Sequence, residues 1–257
     1  MIVSTDAIVL RSMKYGDTSK IVTVYSRKYG KMKVIAKGAR SSKNKFGASL
    51  EPMTHSSLIL YRKEHRDLHL LSKAEIAEPL FRLGNESDKL AVGLAIVELV
   101  NMVMHDEEEN QAMFALLAES LEVANNTSQQ VLNVFFAFEV RMCELFGYGL
   151  DVECCSVCAR NISEDAGIER AYFMLASGSV ICDDCRGRLN GGGMKVSREI
   201  VRLLLHLQLD AMSSVPKLVL GPQAQNDILA LLSTYVKYHI QGVRTLKSLS
   251  LFTTIQG

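Results

Sequence analysis

Two cysteine pairs constrain this chain more than any other feature. Cys155-Ser156-Val157-Cys158 and Cys182-Asp183-Asp184-Cys185 both have CxxC spacing, and residues 159–181 separate them. A CxxC turn presents two thiolates on one side of a tight knuckle. Two such knuckles complete the tetrahedral four-sulfur shell that Zn²⁺ prefers. The 23-residue gap is slightly longer than the ~15–20 residues of common ribbons. It contains Arg170-Ala171-Tyr172-Phe173-Met174, Ala176-Ser177-Gly178 and Val180-Ile181, a pattern that predicts a hairpin delivering Cys182. Cys154 could pair with Cys158 at a different spacing, whereas Cys155 keeps the standard knuckle. Cys143 sits on an apolar helical stripe and is predicted as core. A four-cysteine shell leaves no open coordination position, so one structural zinc is expected, organising the fold without doing chemistry.

Cysteines this close together point to metal in a compartment where disulfides are rare. The N-terminus lacks the basic and apolar regions of a secretory signal, and no uncharged run is long enough for a membrane span. The expected location is cytoplasmic.

The formal net charge is +1, but it hides a split. Residues 1–75 carry 15 Lys/Arg against 6 Asp/Glu, and the rest of the chain is acidic by 8. A small, strongly basic unit suits a polyphosphate partner. The same 75 residues are patterned as strands. Ile8-Val9-Leu10 leads to a turn at Tyr15-Gly16-Asp17, and Ile21–Tyr25 is rich in β-branched residues. Lys31–Lys37 nearly alternates charged and apolar residues, the period of a half-buried strand. Ser57–Tyr61 and Leu68–Leu71 add two more, joined by a hairpin at Lys63–Asp67, after a polar loop from Gly38 to Pro52. Five short strands predict a closed five-stranded barrel, the oligonucleotide-binding (OB) fold.

From about Asn85 the apolar spacing becomes three and four, the period of helices. Phe114, Leu117 and Leu121 share one face. Thr127–Gln130 has the form of a capping box that starts the next helix, which stops at Gly147. Ser197 caps a further helix with Ile200, Leu204 and Leu207 inward. Pro222 opens a last one, with a stripe of Leu229, Leu232, Val236 and Ile240. The acidic run Asp106–Glu109 is expected as a solvated loop, and Gly191–Gly193 as a flexible exit. The predicted class is α+β: an OB-fold domain over 1–80, then a mainly helical domain over 81–257 with a zinc-binding insertion at 148–193.

Catalytic patterns are lacking. There is no phosphate-cradling GK[ST] loop and no Gly-x-Ser-x-Gly elbow. His105-Asp106-Glu107 matches the H-x-E half of a zinc deaminase, but no proline precedes Cys155, and Cys182 and Cys185 would have no role. A non-enzyme is expected.

The cations cluster further, from Arg27 to Lys45. Lys31, Lys33 and Lys37 alternate onto the solvent side of one strand, and Arg40, Lys43 and Lys45 follow on the loop. Arg11, Lys14 and Lys20 come from neighbouring strands. Single-strand binders pair such a groove with aromatic stacking platforms, for which Tyr15, Phe46 and Tyr61 are the candidates. The stretch Val34-Ile35-Ala36-Lys37-Gly38-Ala39-Arg40, with Lys43-Asn44-Lys45-Phe46 and Leu50-Glu51-Pro52, resembles the signature of the RecO family. Leu145-Phe146-Gly147-Tyr148 followed by the two CxxC pairs resembles it too, in the same order. Met53, the extra Cys154 and Ala159 depart from the common pattern.

The resemblance covers nearly the whole chain. It implies a DNA repair and recombination mediator that binds single- and double-stranded DNA and anneals complementary strands. It implies RecR as a partner, with which such a protein helps load RecA onto DNA coated by single-strand-binding protein, and a nucleoid-associated location. The alternative from the residues alone is a zinc-containing OB-fold RNA-binding or assembly factor.

Overall fold

The computed structural model describes residues 1–63, 66–188 and 193–249. The N-terminal strands are β1 (Ile2–Tyr15), β2 (Ser19–Ser26), β3 (Gly30–Ala36), β4 (His55–Tyr61) and β5 (Leu68–Glu78). They close into a barrel in the order β1-β2-β3-β5-β4, with β4 pairing back onto β1. Only the β3–β5 contact is parallel. This is the predicted OB-fold. Alternation drives it: on β3, Met32, Val34 and Ala36 enter the core while Lys31, Lys33 and Ile35 turn outward. Val9, Val22, Val24, Leu58, Leu60 and Leu71 fill the interior from the other strands. The expected hairpin at Lys63–Asp67 includes Glu64 and His65, which lie outside the described residues.

Three helices follow, α1 (Phe81–Asn85), α2 (Ser87–Val103) and α3 (Gln111–Asn126). They form one compact unit with the barrel, running from Met1 to Asn126 and joined by residues 246–249. Phe114 of α3 is fully buried against the barrel, stacked 6.3 Å from Tyr25 and edge-on 5.8 Å from His55. Leu117 and Leu121 share its buried face, as their spacing predicts.

The second compact unit spans Thr127–Thr245. It contains α4 (Leu132–Leu145), α5 (Arg198–Leu209) and α6 (Pro222–His239), plus strands β6 (Asp151–Cys155), β7 (Arg170–Met174), β8 (Ser179–Cys182) and β9 (Met194–Ser197) in the order β6-β8-β7-β9. β7 and β8 form the antiparallel hairpin expected to deliver Cys182. The Ser197 hydroxyl accepts the Ile200 N–H at 3.2 Å, the predicted cap of α5. Gly147 ends the α4 turn at φ +82°.

Two helical expectations are corrected. Thr127–Gln130 does not cap α4, whose N-cap is Val131 with no side-chain bond. The Thr127 hydroxyl bonds within its own turn, and Gln130 reaches Gln225 at 3.0 Å instead. The α6 stripe is turned slightly, burying Ile228, Leu231, Leu232, Tyr235 and Val236 while Leu229 and Ile240 are only half-buried. The expected glycine exit includes Gly191 and Gly192, outside the described residues.

Candidate nucleic-acid interface and metal centre

Directly paired residues in neighbouring strands share a face, so the register maps the outside of the barrel. One row reads Met13, Ile21, Ile35, Leu70 and Tyr61 across all five strands. Met13, Leu70 and Tyr61 in this row are exposed. A parallel row reads Arg11, Thr23, Lys33 and Leu68. Tyr15, 52% exposed, lies on the other side of the apolar row, opposite Ser19. A strand face made only to meet water would carry polar side chains. This one carries apolar side chains flanked by the cations Arg11 and Lys33, with Tyr61 as its one aromatic ring.

The predicted cations fall into two groups. Among the described residues, Arg11, Lys14, Lys37 and Lys43 are exposed and make no ion pair. The others are engaged. Lys20 bonds Glu51 at 2.7 Å. Arg40 donates to the Gly16 carbonyl at 3.0 Å, and its backbone N–H to Thr18, which ties the loop to the β1–β2 turn. Lys45 donates to the Ser72 carbonyl at 2.7 Å and covers the Phe46 ring. Lys31 and Lys33 lie 3.4 and 3.3 Å from the two oxygens of Asp106. Phe46 is a correction: its ring is buried in the barrel core and has no open face for a base. Loop residues after a strand can still fold inward, and Phe46 and Leu50 plug this end of the barrel.

The acidic run is the expected exposed loop, with ion pairs that were not expected. It is fastened to the barrel, with a parallel bridge between Lys31 and Asp106 and the Glu107 N–H donating to the Lys31 carbonyl at 2.8 Å. Glu107 meets Arg62 at 3.2 Å and His69 at 3.4 Å. Arg62, His69 and the row of Met13 and Leu70 were not among the predicted site residues. The strand register needed to find them is absent from local pattern.

The candidate metal centre is built by β6 and the turn after it, the β7–β8 hairpin and the turn after β8. The sulfurs of Cys155, Cys158, Cys182 and Cys185 lie within 4.8 Å of one another. A tetrahedron with Zn–S near 2.3 Å has edges of about 3.8 Å, and Cys158 and Cys182 are 3.8 Å apart. The donor set therefore fits a closed tetrahedral ion. Cys154 stands outside the group, bridged to Asn161. Arg160 donates to the Cys182 sulfur at 3.4 Å and pairs with Asp184. Its backbone and guanidinium donors hold the Cys158 thiol down, to about 6. Such donors favour the thiolate form a metal needs.

Comparison with known proteins agrees with this layout. Residues 1–80 match the family model "Recombination protein O N terminal", and residues 85–250 match "Recombination protein O C terminal". The chain belongs to the RecO family. The protein named DNA repair protein RecO of Chloroherpeton thalassium is 30% identical over 257 residues, covering 99% of both chains. That of Salinibacter ruber is 31% identical over 256 residues, covering 100% of this chain and 95% of its own. In RecO terms, the stretch from Val34 to Pro52 is the end of β3 and the loop that plugs the barrel. Leu145–Tyr148 is the end of α4, where the Tyr148 carbonyl accepts the Tyr235 hydroxyl at 3.1 Å. No helix among the described residues is long and apolar enough to cross a membrane.

Proposed function

We propose that this protein is a non-catalytic recombination mediator, in which residues 1–80 bind DNA and residues 81–257 form a helical domain with its metal segment at 148–193. The carrying observation is the outer face of the OB barrel, where the apolar row of Met13, Ile21, Ile35, Leu70 and Tyr61 runs beside a row that holds Arg11 and Lys33, while Lys14, Lys37 and Lys43 add exposed cations to the same basic domain. Cations neutralise phosphates, and Tyr15, Tyr61 and the apolar row receive unstacked bases. Two strands held on a neutralised surface repel each other less, so annealing proceeds without a nucleotide cofactor. Membership of the RecO family supports the finer reading. Together with RecR, the protein helps load RecA onto DNA covered by single-strand-binding protein, in the cytoplasm at the nucleoid. The metal is one structural Zn²⁺ held by Cys155, Cys158, Cys182 and Cys185.

The test is fluorescence anisotropy of a labelled single-stranded oligomer across a salt series, run beside annealing of complementary strands without ATP. Binding with log K falling linearly in log salt is expected, together with faster annealing. Absence of binding at low salt would sink the reading.

A further inference from the structure

Lys31, Lys33, Arg62 and His69 surround two carboxylates, and the arrangement has the chemistry of a phosphate site already filled. Asp106 lies between the Lys31 and Lys33 ammonium groups, and Glu107 between Arg62 and His69. His69 is buried, and its Nδ1 accepts the Lys63 N–H at 3.5 Å. The proton is thereby assigned to Nε2, which has no hydrogen-bond partner and faces Glu107 at 3.4 Å. Lys31 forms the floor: it is largely buried and also bonds the Asn101 carbonyl at 3.1 Å. Lys33 reaches out to solvent, whereas Arg62 is mostly covered, its guanidinium 5.0 Å over the Tyr29 ring.

We propose that these four side chains form a cradle for two adjacent phosphates of a nucleic-acid strand, and that Asp106 and Glu107 occupy it as internal surrogates. The inference rests on the DNA-binding reading above. The cradle continues the predicted track, because Lys33 shares its row with Arg11. The loop lies where β3 has no neighbour on that side, since β5 pairs with β3 only from Lys33 onward. Displacing the loop breaks the Lys31–Asp106 bridge, the four ion pairs and the packing of Glu108 on Gly30, but no strand pairing. The two carboxylates are about half exposed and open to competition from solvent; the Lys33–Asp106 pair, exposed on both sides, contributes only ~0–1 kcal/mol, while Lys31, Arg62 and His69 are largely covered. Glu107 also holds φ +59°, a left-handed conformation that costs a non-glycine residue roughly 1–2 kcal/mol. A polyanion that supplies the same negative charges can compete with a strained loop whose carboxylates are open to solvent. The protein then presents Lys33 and Arg62 only to ligands dense enough in charge to displace it.

The test is the D106N/E107Q variant of the full chain, titrated with labelled oligothymidylate over a salt series. An affinity gain on the order of tenfold at low salt is expected, with the log–log slope steeper by ~1–2, since each released cation adds ~0.7 for single strands. E119Q/E122Q removes the same charge from α3 and is expected to leave the slope at the wild-type value. K31Q/K33Q is expected to cancel the gain when placed in the amide background. An amide variant with a lowered melting temperature and an unchanged slope would overturn the proposal, marking the pairs as structural only. So would an equal gain from E119Q/E122Q. If D106N/E107Q fails to fold, D106N alone serves, with half the slope change expected and an unchanged slope again decisive against it. Wild type and variants all failing to bind would sink the DNA-binding reading itself, and the cradle with it.

Discussion

At position 30 no side chain fits. Gly30 holds φ +63°, and a Cβ there would overlap the backbone of Glu108. Gly30→Ala is expected to destabilise the protein by at least ~2 kcal/mol in urea unfolding, from left-handed strain together with displacement of the acidic loop. An unchanged midpoint would show the loop to be detached in solution. Phe46 is a second decisive residue. Because it fills the barrel end, Phe46→Ala is expected to cost about 3–5 kcal/mol of stability, where loss of a stacking platform would change only affinity. Glu139 is a third. It is buried in α4 with one oxygen lacking a partner, and burial pushes its carboxyl up to about 8. The folded state thus holds that proton more tightly than the unfolded chain. Stability is fully present below the unfolded value near 4.5 and falls as pH rises toward 8, by up to about 1.4 kcal/mol per pH unit. Glu139→Gln should remove this loss, which unfolding curves of both proteins between pH 5 and 8.5 will show. Parallel curves would refute it.

At the scale of elements, legibility followed the range of the forces. β3 was visible as alternation because one of its faces meets core and the other water. The cap of α5 was visible because Ser197 bonds only three residues ahead. The capping box at Thr127 failed because Gln130 is claimed by Gln225, a partner distant in sequence. The acidic run is exposed as expected, but its ion-pair partners were illegible for the same reason: they come from β3, the end of β4 and β5. The CxxC pairs lay between these cases. Each knuckle is local, but only the β7–β8 hairpin brings the two together. Removing the ion with a chelator, or replacing Cys158 and Cys185 with serine, should loosen that sheet and admit protease within residues 159–181. Zinc-finger peptides gain on the order of 10–16 kcal/mol from their metal, so the effect should be large. One bound metal persisting after the substitutions would exclude the four-cysteine shell.

For the whole molecule, charge separates by region. Residues 1–75 carry a balance of +9. Residues 76–126 hold 10 Asp/Glu against 2 Lys/Arg, whereas residues 127–257 balance at 12 of each. The acidic counterpart of the barrel is therefore α1–α3 and the loop before α3, inside the same compact unit. The second unit is close to neutral. The salt dependence of DNA binding should accordingly reside in the barrel. Replacing Arg11, Lys14, Lys37 and Lys43 together with alanine is expected to weaken binding to every sequence alike and to flatten the log–log slope by up to ~3, at ~0.7 per lost contact. These four are the cleaner probes, since Arg40 and Lys45 also anchor the loop. A slope that stays at the wild-type value would remove this face from the interface.

By itself the sequence determined the barrel, the helices and the set of four cysteines, because alternation, helical spacing and CxxC turns are written in neighbouring residues. Only the tertiary structure decided which cations remain free, which aromatic ring is core and where the acidic loop binds. Those outcomes depend on strand register and loop closure, which bring together side chains as distant in the chain as Lys33 and Asp106, and no local pattern encodes that meeting.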